Sequence, residues 1–175
     1  MQKYMISVLS LLLYVTETEA QDFASWNNNI LKLNNGLVNR EIITDNGIIS
    51  TKTLKITGSD INFNSEDSKE FSLIIDGTKC DGHSGWDLIS FVSASDIRQG
   101  SGATVKLKGT SKFSGIEVDI TYLLYPDLPV IRKEITLLNK TGKEIMIESF
   151  DIEKLLLGFN YVEAVSYTNY GRQKH

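Results

Sequence analysis

The run Gly115–Ile152, GIEVDITYLLYPDLPVIRKEITLLNKTGKEIMIESFDI, holds three apolar-alternating segments separated by two short turns. In the first segment Ile116, Val118, Ile120, Tyr122 and Leu124 share one face, and Glu117, Asp119 and Thr121 the other. A period of two with one apolar face is the mark of a half-buried strand. In the second, Ile131, Ile135 and Leu137 face the core while Arg132, Glu134 and Thr136 face out. Lys133 interrupts that pattern; it either snorkels from a sheet edge or meets a carboxylate. The third begins with Ile145 and Ile147 inward and then switches to Phe150 and Ile152. Alternation cannot change parity without an extra residue, which predicts a β-bulge near Glu148–Ser149.

Working outward, the same alternation predicts strands at Ile30–Leu33, Gly36–Ile43, Ile48–Ser50, Leu54–Thr57, Phe71–Asp76, Leu88–Ala94, Thr104–Lys108 and Tyr161–Tyr167. Asn46-Gly47 is a strong hairpin signal. Ser59–Glu70 reads as a loop with a short strand around Ile61–Phe63. No amphipathic helix of ten residues is found after the N-terminal stretch. Many strands without helices imply an all-β, antiparallel sandwich or barrel. The only prolines, Pro126 and Pro129, bracket a corner between two strands.

The chain has 175 residues, 41% hydrophobic and 23% charged, enough for one domain with a sizeable core. A formal charge of −4 and an isoelectric point near 5.2 argue against nucleic-acid binding, which needs a basic surface. Lys3, the apolar run Met5–Val15 and the small Ala20 have the layout of a secretory signal over residues 1–20. That run is shorter than the roughly 20 residues a membrane span needs. The competing reading is a buried N-terminal helix or strand. Residues 21–175 then form the sandwich domain of a secreted or periplasmic protein. Cys80 is the single cysteine, so no intrachain disulfide forms, which suits a bacterial periplasm or surface. It reads as a small, part-buried residue near a turn rather than a reactive thiol. Asn139-Lys140-Thr141 is a glycosylation sequon that carries no meaning in a bacterium.

Two segments carry a family resemblance. LKLNNGLVNR, Leu31–Arg40, resembles the opening of glycosidase N-terminal domains. YLLYPDLPVIR, Tyr122–Arg132, with Glu134–Asn139 and Gly142 behind it, is similar to a second segment of the same domains. These are the β-supersandwich domains that precede the catalytic barrel in α-galactosidase-type enzymes of glycoside hydrolase family 36. They belong to the galactose-mutarotase-like superfamily. The resemblance spans about residues 26–167 and implies a β-supersandwich. In that family a (β/α)8 barrel follows and supplies the catalytic aspartates. Here the chain stops at Asn169–His175, so the resemblance implies an accessory domain without that active site. Mutarotases use a histidine and a carboxylate; His83 and His175 match neither position.

Asp76–Asp87, DGTKCDGHSGWD, is the richest local candidate for chemistry. Aromatic faces stack on sugar rings while carboxylates bond the hydroxyls, so Asp81, His83, Trp86 and Asp87 are candidate carbohydrate-binding residues. The alternative is a connecting loop whose Trp86 plugs the core edge. Loop spacing permits a metal at Asp81, His83 and Asp87, but that combination is common in loops, and neither metal nor other cofactor is expected. None of the 22 acidic residues is placed by a catalytic motif, so no catalytic residue is assigned. Gly100-Ser101-Gly102 lacks a nucleophile elbow, and Gly36, Gly47 and Gly58 form no phosphate fingerprint. Tyr161, Tyr167 and Tyr170 either stack on a ligand or cover a sheet edge. Three readings follow: a non-catalytic carbohydrate-associated module whose partner is a glycan or a catalytic barrel, a small mutarotase-like or glycosidase-related enzyme, or a structural sandwich with no sugar role.

Overall fold

A computed structural model describes residues 22–64, 68–155, 165–168 and 171–174. The first antiparallel sheet has the order β1-β2-β3-β4: β1 (Ala24–Asn27), β2 (Ile30–Asn34), β3 (Val38–Asp45) and β4 (Ile48–Ile56). Facing it is β10-β9-β8-β7: β7 (Trp86–Ser95), β8 (Ser101–Gly109), β9 (Ile116–Tyr125) and β10 (Leu128–Asn139). A smaller sheet has the order β11-β5-β6, with β5 (Ser72–Ile75), β6 (Thr78–Asp81) and β11 (Ile147–Asp151). β12 (Val165–Thr168) and β13 (Gly171–Lys174) form a separate hairpin. Every pairing is antiparallel. One core cluster joins Leu31, Leu33 and Ile42 of the first sheet to Val105, Val118 and Ile120 of the second and Leu73 of the third. The fold is the all-β antiparallel sandwich that the alternation predicts.

β9 occupies the expected residues and buries the expected face, Ile116, Val118, Ile120, Tyr122 and Leu124. The bulge is also present. Ile147 pairs with Ile75 and Ser149 with Ile74, leaving Glu148 as the extra residue. Ile147 and Phe150 therefore lie on the same side as the buried Ile75 and Leu73. Burial is where the expectation needs correcting. β11 is an edge strand, and Ile147, Phe150 and Ile152 remain 50%, 43% and 49% exposed.

Other differences have local causes. Ile48–Ser50 and Leu54–Thr57, the latter as far as Ile56, belong to one strand, β4, whose polar middle reads as a break. Its Thr51 is buried because it serves a polar cluster in the core. No strand forms at 61–64. Instead Asn62 and Asn64 hydrogen-bond the β4 backbone at Leu54, Lys52 and Thr51, so side-chain amides cover the sheet edge. β6 lies where a loop was expected, because Asp76 and Gly77, both at positive φ, make a two-residue hairpin turn after β5. β1 and β13 carry too little alternation to be read. The signal segment and Tyr161, as well as Tyr170 and His175, lie outside the described residues. Among the described residues no helix is long and apolar enough to cross a membrane.

Candidate functional site

The four predicted residues sit at the end of β6 (Asp81), in the turn after it (His83) and at the start of β7 (Trp86 and Asp87), and the structure sends them different ways. Trp86 is 2% exposed. Its ring stacks on Phe113 (6.1 Å, 7°) and meets Phe71 edge-on (5.3 Å), while Nε1 donates to the Asp81 carbonyl at 2.9 Å. The indole plugs the core edge and offers no open face for a sugar. Asp81 pairs with Lys69 and accepts the His83 amide at 3.0 Å. Burial opposes its charge, but the Lys69 and His83 hydrogen bonds outweigh it and hold the carboxyl below its ordinary range. His83 Nε2 lies 3.0 Å from the Ser68 carbonyl and so acts as the donor. Asp81 and His83 thus lock the turn. Cys80, buried beside them, has its thiol pushed up to about 12 by burial and by Asp81, which makes it unreactive. Among the described residues no group of three metal-ligating side chains comes together.

Asp87 is exposed and lines an open cleft of about 710 Å³ between the β3–β4 turn and the start of β7. Asn29, Asp45, Asn46, Lys108 and Thr110 are on the same lining. Asn46 and Gly47 both adopt positive φ in the hairpin turn. A Cβ on Gly47 would lie 3.3 Å from the Trp86 carbonyl and sit at a φ of +78°, so any other residue would strain the turn and push it slightly off β7. On the other side, Thr44 ties β3 to the β1–β2 turn through its amide (2.8 Å) and hydroxyl (3.1 Å), both donated to the Asn29 carbonyl. The cleft is therefore built by two tight turns and a hydroxyl clamp, and its walls offer carboxylate, amide, ammonium and hydroxyl groups.

The densest ionisable cluster lies in the core, and sequence reading missed most of it. Arg40 on β3, Glu70 before β5, Lys133 on β10 and Glu153 after β11 converge. Arg40 Nη2 donates to Glu70 at 2.8 and 2.9 Å and also reaches Glu153, and its Nε donates to Thr51 at 2.8 Å. Lys133 Nζ donates to the Glu70 carboxylate at 2.8 Å and to its carbonyl at 2.6 Å. Thr51 and Tyr122 donate hydroxyl bonds to the same carboxylate, Tyr122 at 2.6 Å. Burial opposes the Glu70 charge, yet Arg40 and Lys133 hold it far below the ordinary carboxylate range. Burial likewise opposes the charge on Arg40, which Glu70 and Glu153 hold above its usual range. Tyr122 is pushed up by burial and by Glu70. Two cations balance two carboxylates, so the cluster is a structural tie rather than an open site. The one legible signal was Lys133 at an inward position.

The two segments that carry the family resemblance touch. Asn35 Nδ2 donates to the Tyr125 and Leu128 carbonyls at 2.7 and 2.8 Å, so the β2–β3 turn braces the Pro126 corner. Compared with known proteins, the chain matches no family model, no curated protein and no solved structure.

Proposed function

We propose that this chain is an exported, non-catalytic carbohydrate-associated accessory domain of the kind that precedes the barrel in α-galactosidase-type enzymes. The cleft carries this reading. Asn29, Asp45, Asn46, Asp87 and Thr110 line about 710 Å³ of open space with groups that exchange hydrogen bonds with hydroxyls. The best-organised ionisable groups, by contrast, are consumed inside the core. Affinity electrophoresis through soluble galactomannan, xyloglucan and β-glucan tests it. Retardation by at least one polysaccharide is expected, weakened several-fold by Asp87→Ala, with no turnover of aryl-α-galactosides. Turnover abolished by His83→Ala would favour the enzyme reading instead. No retardation at all would leave a structural sandwich.

A second reading, compatible with the first, is favoured by β11. Its core-side residues Ile147 and Phe150 are half exposed, a surface that a catalytic barrel domain or partner chain would cover. Co-elution with an α-galactosidase-type barrel, lost in Phe150→Ser, is the expected result; no co-elution with the parent protein counts against it.

A further inference from the structure

We infer that Trp26 and Phe91 form an aromatic platform for a pyranose ring beside the cleft, so that platform and cleft make one two-part site for a neutral glycan. This rests on the carbohydrate reading above. Trp26 on β1 and Phe91 on β7 make a ring contact between edge strands of the two facing sheets. Their ring centroids are 5.9 Å apart with a 31° tilt. Register explains why they meet: Trp26 pairs with the buried Leu31 and Phe91 with the buried Val105, so both rings lie on the core side of their sheets. Packing does not explain the exposure. Trp86 is enclosed, whereas Trp26 leaves 39% of its surface in water at the margin of the fold. No hydrogen bond to the Trp26 indole N–H is found among the described residues. A large ring held from one side with its remaining surface open suits stacking against the apolar face of a sugar.

The neighbours complete the recognition chemistry. Trp26 is followed by three exposed asparagines, Asn27, Asn28 and Asn29, and Asn28 is held in the left-handed region by the turn. Asn29 is itself on the cleft lining. Asn28 and Asn29 form the turn that directly follows β1 and so lie at most about 10 Å from Trp26 along the chain, within reach of adjoining sugar units. On the opposite wall Leu88 lines the cleft, and Phe91 stands three positions further along β7. The sugar class follows from charge. Asp45 and Asp87 outnumber Lys108 on the lining, and the whole chain carries −4, so an acidic polysaccharide is repelled and a neutral one is not.

The test uses the full folded protein with galactomannan, xyloglucan and mixed-linkage β-glucan as probes. Trp26→Ala is expected to weaken retardation about tenfold or more, the loss of one aromatic stack, and Trp26→Tyr to retain most of it. Bound polysaccharide should also shield the exposed tryptophan of the unmodified protein from acrylamide quenching, a readout that needs no variant. Equal retardation of the parent and Trp26→Ala, with Asp87→Ala weakened, overturns the platform and leaves the accessory-domain reading standing. Binding without protection from quenching overturns the platform in the same way. If no probe retards the parent protein, both readings fall.

Discussion

At Glu70 a single carboxylate accepts hydrogen bonds from Arg40, Thr51, Tyr122 and Lys133, with the two cations also 5.3 and 5.5 Å from the centre of the Tyr122 ring. Removing that charge leaves Arg40 and Lys133 buried with only the part-exposed Glu153 to balance them. Glu70→Gln should therefore cost on the order of 3–5 kcal/mol in urea unfolding at neutral pH. The pH dependence has a definite sign. The folded protein holds the Glu70 carboxyl below its ordinary value of 4.5, so folding favours the deprotonated form. Its contribution is fully present above pH 4.5 and drains away as the pH falls toward the folded value. The parent should lose urea resistance steeply below pH 4.5, and Glu70→Gln should lose less over the same interval. Parallel curves would show that this carboxylate does not govern acid unfolding. None of these partners is near Glu70 in the chain. Lys133 was visible only as a charge on an apolar face, and Glu70 itself sat in a stretch that reads as loop.

Elements were easier to read than their surroundings, and β11 shows why. Alternation reports which side a residue takes, and it located the extra residue at Glu148 correctly. It does not report whether anything lies opposite that side, and the edge position of β11 leaves Ile147 and Phe150 half exposed. The same limit applies to the predicted site: composition picked out Trp86 as an aromatic next to polar groups, while only the fold shows it enclosed and Trp26 open. The bulge gives a prediction of its own. Deleting Glu148 turns Ile147-Ser149-Phe150 into a regular in-out-in strand and loses one hydrogen bond, that from the Gly77 amide to its carboxylate. The cost should stay near 1 kcal/mol. Deleting Thr136, in the regular Ile131–Asn139 part of the pairing of β10 with β9, displaces the core-side residues that follow it and should prevent folding. Comparable damage from the two deletions, measured by thermal unfolding, would mean that Glu148 is not an inserted residue.

Across the whole molecule the ionic cluster is where the three larger sheets meet. Arg40 and Thr51 belong to the first sheet and Tyr122 and Lys133 to the second, while Glu70 and Glu153 flank β5 and β11 of the third. Apolar packing alone is tolerant of sliding between layers, whereas a network of directed, charged bonds fixes one arrangement. Glu153 is the member that holds the chain after β11, and it is also the most exposed, its side chain 25% accessible against 1% for Glu70. Beside it Lys154 and Lys69 exchange two backbone hydrogen bonds at 2.8 and 2.9 Å. Removing the Glu153 charge should therefore loosen this junction without unfolding the sandwich. In Glu153→Gln the Lys69 and Lys154 amides should exchange with solvent at least about tenfold faster, as expected when a local opening becomes easier by roughly 1.4 kcal/mol. Amides in the centre of β9, such as Ile120, should keep the parent's protection. Uniform acceleration across the molecule would make Glu153 part of the global core, and unchanged exchange at Lys154 would remove it from the tie altogether.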